Sequence, residues 1–283
     1  MRVNTNMNAI MAHNNMTKNT ALAGNSMEKL SSGLRITKAG DDAAGLAISE
    51  KMRSQIRGLE QAGRNVQDGI SVVQTAEGAM EETGNILQRM RELSVQAANE
   101  TNQTEDRTKI VTELTQLNEE ITRIADSTEF NGKKLLDGST PTMTIQVGAN
   151  TGTGQSIEIK LDNIKSTMAT TGVISTSISS LSAGTITAQT AAATSLLTKI
   201  DAALTSINTS RSELGAKQNR LEYAQSNLTT SNENLTAAES RIRDVDVAKE
   251  MLNLSKLNIL SQAAQSMLGQ AKQQPEGVLQ LLR

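Results

Sequence analysis

Three adjacent pairs of acids, Asp41-Asp42, Glu81-Glu82 and Glu119-Glu120, are the groups in this chain best suited to chemistry. Paired carboxylates can divide general acid and base roles or hold a divalent cation. Each pair, however, falls on or beside a long helical pattern, where acids form solvated faces or complement the dipole of a first helical turn. Imidazole and thiol chemistry has little to draw on, since His13 is the single histidine and cysteine is absent. Gly148, Gly152 and Gly154 form the densest glycine cluster. They lie inside an expected hairpin and not between a strand and a helix, so they do not make a phosphate cradle. There is no HExxH helix, no G-x-S-x-G elbow and no loop ending in Gly-Lys-Ser/Thr. Asn-x-Ser/Thr triplets such as those at Asn208 and Asn227 follow from a composition rich in Asn, Ser and Thr. No catalytic, cofactor-binding or metal-binding residue is assigned, and the chain is expected not to be an enzyme.

The composition suggests a different use. In 283 residues the only aromatic side chains are Phe130 and Tyr223, while methionine occurs 12 times. Large rings normally supply much of the buried area in a thick core. Their absence points to thin helix–helix seams built from Ala, Leu, Ile, Val and Met, and so to a rod. A formal charge of −2 concentrates no positive field, which argues against nucleic acid as a partner. No apolar run approaches the roughly 18 residues that span a bilayer. The start, MRVNTNMNAIMAHNN, lacks the charged and apolar regions of a cleavable signal peptide.

Two heptad tracts give the elements that must carry any function. Met52, Leu59, Val66, Val73, Met80 and Leu87 recur every seven positions, and the residues three further on are mostly small. Asp41 or Asp42 offers an N-cap and Asn99–Asn102 a stop, so this helix runs about 55 residues, or roughly 80 Å. A second tract places Ile200, Ile207, Leu214, Leu221, Leu228, Leu235 and Ile242 at seven consecutive heptad positions. One narrow stripe on each helix therefore faces a partner helix. A shorter tract has Ile110, Leu114, Leu117, Ile121 and Ile124 at alternating spacings of four and three.

Between Asn131 and Thr194 this periodicity stops. Met143, Ile145 and Val147 alternate with polar residues, as do Ile157, Ile159 and Leu161, which predicts a β-hairpin around a Gly-rich loop. Thr170–Thr194 is rich in Thr, Ser and Ala and reads as a solvated excursion or a small strand pair. At the termini, Ala9, Met16, Ala23 and Leu30 lie seven apart, and Val247, Leu254 and Leu268 follow the same register with Ser261 interrupting. The chain ends with Val278, Leu279, Leu281 and Leu282, an apolar end that needs a partner surface.

Four blocks carry a resemblance: EKLSSGLRITKAGDDAAGLAISEKMRSQIRGL, QDGISVVQTAEGAMEETGNILQRMRELSVQAANETN, STEFNGKKLLDGS and NILSQAAQSMLGQAKQQPEGVLQLLR. Through them the chain resembles bacterial flagellin along its whole length except Ser139–Thr194. The resemblance implies a mostly α fold. Residues 1–42 and 243–283 would form pore-lining terminal helices, an inner coiled coil made on assembly. Residues 43–138 and 195–242 would form an antiparallel helical rod, and residues 139–194 a hairpin and outer surface segment. It also implies a subunit of the helical flagellar filament used for swimming, extracellular and exported without a cleavable signal peptide.

The implied partners are further copies of the chain, the flagellar cap and hook-junction proteins, an export chaperone and the type III export apparatus. In many flagellins the segment matching LQRMRELSVQ is bound by an innate-immune Toll-like receptor and also lies in axial subunit contacts. The matching positions here are Gln88, Arg89, Arg91, Glu92, Leu93 and Gln96, together with Glu113. Two rivals of the filament subunit are a hook-filament junction protein, disfavoured by the QQPEGVLQLLR block, and a generic coiled-coil adaptor forming discrete oligomers.

Overall fold

In the computed structural model of the chain, residues 6–152, 154–165, 173–181 and 185–281 are described, with side chains in the last helix described as far as Gln273. Six helices, α1 (Met7–Ser32), α2 (Ala43–Ala97), α3 (Thr104–Ser127), α4 (Val173–Ser180), α5 (Ile186–Arg243) and α6 (Val247–Leu281), account for most of them. Two short antiparallel pairs complete the described elements: β1 (Glu129–Phe130) with β2 (Lys133–Lys134), and β3 (Thr142–Gln146) with β4 (Ser156–Lys160). The chain divides into two compact units, residues 57–232 and a terminal unit made of residues 1–56 and 233–283.

The unit 57–232 has a continuous apolar core. Val66, Val73, Met80 and Leu87 of the first heptad tract are buried, and so are their small companions Ala62, Ala76 and Thr83. Ile200, Ile207, Leu214, Leu221 and Leu228 answer them from α5. Within this unit the two helices run antiparallel, as two ion pairs show: Arg91 Nε lies 2.7 Å from Asp201 Oδ1, and Arg211 Nη2 lies 3.6 Å from Glu81 Oε2. Helix α3 adds Ile110, Leu114 and Ile121 to the core.

The expected hairpin β3–β4 forms, with Met143 opposite Ile159 and Ile145 opposite Ile157. Ile157 and Ile159 are buried, while Met143 and Ile145 pack at the core's edge. Two helical glycines make room for this region on α2. A β-carbon at Gly69 would lie 3.1 Å from Ile145 Cγ1, and one at Gly58 only 2.6 Å from Ala149 Cβ. Glycine weakens a helix interior, and here close approach of a second layer offsets that cost. The smaller hairpin turns through Asn131 (φ 49°) and Gly132 (φ 74°), the left-handed pair that a two-residue turn between antiparallel strands requires.

One expectation fails. Thr170–Thr194 is neither a solvated excursion nor a strand pair where it is described. Val173–Ser180 is helical, and α5 begins at Ile186, nine residues before the expected rod segment at 195. Ile178, Leu181, Ala193 and Leu196 are buried, and Lys199 Nζ donates to Ser177 Oγ at 2.8 Å, so the segment is fastened to the core. Its Ser, Thr and Ala side chains are small enough to pack closely, and that overrides a composition that reads as loop.

In the terminal unit α1 and α6 run antiparallel. Asn6 Nδ2 donates to the Ala271 carbonyl at 2.6 Å near one end, and Leu34 bridges Asp244 at the other. Asn6 also caps α1, its Oδ1 accepting from the Ala9 amide at 3.1 Å, and Gly33 (φ 71°) closes the helix in the left-handed conformation. Asp42 and not Asp41 caps α2, accepting from the Gly45 amide at 2.8 Å. Asp41 instead holds the preceding turn. The Lys38 and Thr37 amides and the Thr37 hydroxyl donate to its carboxylate and keep its pKa below the usual range.

Candidate assembly surface

The seam between α1 and α6 is thin. On α1 the covered positions are Ala9, Ala12, Met16, Asn19, Ala23, Ser26 and Leu30, alternating three and four apart. On α6 they are Leu254, Leu257, Ser261, Ala264, Leu268 and Ala271. Ser261, which interrupts the sequence pattern, lies in the seam. A small residue there allows close packing, as Ala264 and Ala271 do. Among these only Ser26 and Ala271 are fully buried, and the rest are half-covered. Two helices alone cannot enclose either face.

The remaining apolar side chains point outward. Met7, Ile10, Met11, Leu22 and Met27 on α1 are exposed, as are Val247, Met251, Leu252, Ile259, Leu260 and Met267 on α6. Leu252 is 73% and Met267 62% exposed. A groove of about 370 Å³ between the two helices is lined by Met11, Ala12, Asn15, Ala264 and Met267 among others. Apolar side chains of this size exposed along two long helices form a surface that monomeric proteins avoid. Val278, Leu279, Leu281 and Leu282, expected to extend this surface, lie outside the residues whose side chains are described.

The turns at the end of this unit are fixed by polar contacts. The Arg35 amide donates to the Arg243 carbonyl at 2.6 Å, and the Val245 amide donates to the Gly33 carbonyl at 3.0 Å. Arg243 Nη1 reaches Glu50 Oε1 at 2.6 Å, and Arg53 Nε lies 3.7 Å from Glu239 Oε1. Of the seam positions expected in the rod, Met52, Leu235 and Ile242 fall in this unit and are only half-buried, as is Leu59 in the other unit.

The second expected surface lies on α2 and α3 in the unit 57–232. Gln88, Arg89, Arg91, Glu92 and Gln96 are exposed. Arg89 binds Glu113 through Nη2 at 2.9 Å and Nε at 3.1 Å, and Glu92 through Nη1 at 3.1 Å. Glu113 first and Glu92 second raise the guanidinium pKa further, so this residue stays charged. Leu93 departs from the expectation of a surface position: it is 3% exposed and packs in the core. Three residues beyond buried Met90, it shares the inward face of α2.

Sequence reasoning missed Arg107, which is fully buried. Its Nη1 donates to Gln189 Oε1 at 2.7 Å and to the Ile186 carbonyl at 3.3 Å, and its Nη2 donates to the Asn99 carbonyl at 3.1 Å. It thereby clasps the α2–α3 turn to the first turn of α5. A charged residue in the first turn of a helix reads as surface from sequence, and only the unexpected early start of α5 covers it. Among the described residues no group of three or more His, Cys, Asp or Glu could hold a metal ion, and no helix is long and apolar enough to cross a membrane.

Long antiparallel helices with a self-contained core in one unit and outward apolar stripes in the other define a structural subunit that associates with its own kind. The family pattern described as the bacterial flagellin N-terminal helical region matches residues 3–140, and that of the C-terminal helical region matches residues 197–282. A flagellin from Halalkalibacterium halodurans is 55% identical over 283 residues, covering 100% of both chains, and one from Bacillus subtilis is 50% identical over 306 residues with the same coverage. A flagellar hook-associated protein from Vibrio parahaemolyticus shares the fold with a TM-score of 0.61 at 13% identity, covering 72% of this chain and 100% of its own. The chain belongs to the bacterial flagellin family, and its function is that of a subunit of the flagellar filament.

Proposed function

We propose that the terminal unit is the part of the subunit buried on polymerisation, with residues 1–42 and 243–283 forming the inner, pore-lining layer. Residues 43–138 and 195–242 form the helical rod, and residues 139–194 contribute the hairpin on the outer side. The observation that carries this reading is the outward apolar surface of α1 and α6, which further copies of the chain would cover. A contact between unlike patches propagates instead of closing, so the product is a filament and not a ring. Covering these side chains offsets the entropy of ordering the termini, and growth therefore starts from existing ends.

The role is structural and not enzymatic. The subunit reaches the outside of the cell through the type III export apparatus without a cleavable signal peptide, handled by an export chaperone and placed between hook-junction and cap proteins. The exposed Arg89, Glu92 and Glu113 cluster is the surface for an innate-immune Toll-like receptor on the monomer and for axial contacts in the polymer. The shared fold with a hook-associated protein at 13% identity speaks only to architecture, whereas the two relatives matched over the full length of both chains are flagellins.

Electron microscopy of subunits added to short sonicated filaments tests the assembly reading. The full-length chain extends the seeds, and a version lacking residues 1–35 and 246–283 remains monomeric. Discrete small oligomers from the full-length chain would overturn the filament-subunit reading in favour of an adaptor, and seed extension by the truncated chain would overturn the role of the termini.

A further inference from the structure

Five of the described methionines in the terminal unit stand at positions that core packing does not explain, unlike Met16 and Met52 of the same unit, which are half-buried. Met80 and Met90 are buried in the unit 57–232, and Met143 is packed against its core. Met7, Met11 and Met27 on α1 and Met251 and Met267 on α6 are all more than half exposed. Methionine fills irregular interior gaps well, but at these outward positions there is no gap to fill. Two of the five, Met11 and Met267, line the same groove between α1 and α6. The chain has no cysteine, so thioethers are its only sulfur groups open to a peroxide.

We propose that these five methionines form an oxidation-sensitive modification site that controls whether a free subunit can join a filament. The proposal rests on the assembly reading above. A hydroperoxide is the oxidant: the thioether sulfur attacks one peroxide oxygen, the O–O bond breaks, and the departing oxygen leaves as water or an alcohol after taking up a proton. Sulfur is oxidised by two electrons to the sulfoxide and the hydroperoxide is reduced by two. The product is a polar S=O group on a surface that must be covered by apolar neighbours, where it is left without a donor. Subunits already in a filament have these side chains covered, so the site acts on unassembled subunits and leaves the existing polymer alone. Sulfoxide reductases reverse the change, which makes it a switch.

The test treats the full-length monomer with hydrogen peroxide, removes the excess, and locates sulfoxides by peptide mass spectrometry before measuring elongation of sonicated seeds by electron microscopy. The expected result is oxidation of the five exposed methionines ahead of Met80 and Met90, with a fall in elongation of at least tenfold. Treatment with methionine sulfoxide reductases of both stereospecificities restores elongation, and the same five residues in intact filaments resist the same dose. A variant with Met7, Met11, Met27, Met251 and Met267 all changed to Leu elongates equally with and without peroxide. If that variant does not assemble, reductase rescue of the natural chain decides the matter. Normal elongation by oxidised subunits, or loss that reduction does not restore, would overturn the proposal while leaving the assembly reading standing. Failure of untreated subunits to elongate would overturn both.

Discussion

Residues 57–232 and the terminal unit are built from the same heptad grammar and reach opposite results. In the first, the stripes of α2 and α5 meet under a third helix and a hairpin, and the large apolar side chains left exposed among the described residues are only Val95, Ile186 and Tyr223. In the second, α1 and α6 pack on one another, and among the described residues the buried apolar side chains there are only Ile36 and Ala271. The difference does not lie in residue type, because both units use Ala, Leu, Ile and Met. It lies in the number of layers. A seam between two helices covers one stripe of each, while a third and fourth element cover the flanks. The first unit can thus be stable as a monomer, and the second, on the assembly reading proposed above, completes its core with neighbours.

The largest effect that sharpens this contrast comes from placing the same charge in each unit. Leu214 is buried at the centre of α5, and Leu214→Asp removes its packing and buries a carboxylate without a partner. A loss of about 3 to 5 kcal/mol is expected, seen as a lowered urea midpoint of the monomer and as absent filaments. Leu252→Asp alters a side chain that is 73% exposed, so the monomer's unfolding curve should not move although seed elongation is lost. If both mutants behaved alike in the monomer, the division into a self-sufficient and a dependent unit would be wrong.

Arg107→Ala comes next. The guanidinium is the link between the α2–α3 turn and the start of α5, and its removal leaves the Gln189 amide oxygen and the Asn99 carbonyl without this donor. About 3 kcal/mol should be lost in monomer unfolding by denaturant. Hydrogen exchange should rise first near Ile186–Thr190, within the segment whose helix the sequence did not indicate. A smaller effect, of about 1 to 2 kcal/mol, is expected for Gly69→Val, which forces new methyl groups against Ile145 of the hairpin. Loss of the β3–β4 amide protection, with the helices retained, is the pattern that would place the damage there.

These cases also show which parts of the structure could be read in the sequence. The heptad tracts were legible because leucine-sized residues at a fixed period leave few alternatives, and Val66 to Leu87 and Ile200 to Leu228 are buried as that period requires. The hairpin was legible because its alternation differs from helical spacing. The start of α5 was not: Gln189, Ala193 and Leu196 continue the stripe below Ile200 at spacings of four and three, but Gln and Ala carry too little contrast against their Ser and Thr neighbours to show it. Helix α4 spans 8 residues, barely two turns, too few for a period to be visible. The outward surface of the terminal unit was legible only in part. Ala9, Met16, Ala23 and Leu30 mark the seam, yet nothing in a single sequence says that the apolar residues beside them stay uncovered.

The smallest expected effect is on the exposed cluster, and it separates recognition from stability. Arg89→Ala with Glu113→Ala removes an ion pair whose side chains are 51% and 45% exposed, where solvent and salt screen the attraction and side-chain entropy opposes it. Monomer unfolding should therefore be indistinguishable from that of the natural chain. Receptor signalling by monomers in a reporter cell should weaken, because the mutation removes both the cation and the carboxylate a partner surface would read. Leu93→Ala should do the reverse: it lies under this surface in the core, so its truncation would cost stability and reach the receptor only through loosening of α2. Unchanged signalling from the double mutant, alongside weakened signalling from Leu93→Ala, would mean that the surface acts as a scaffold only and that the charged residues on it are not read.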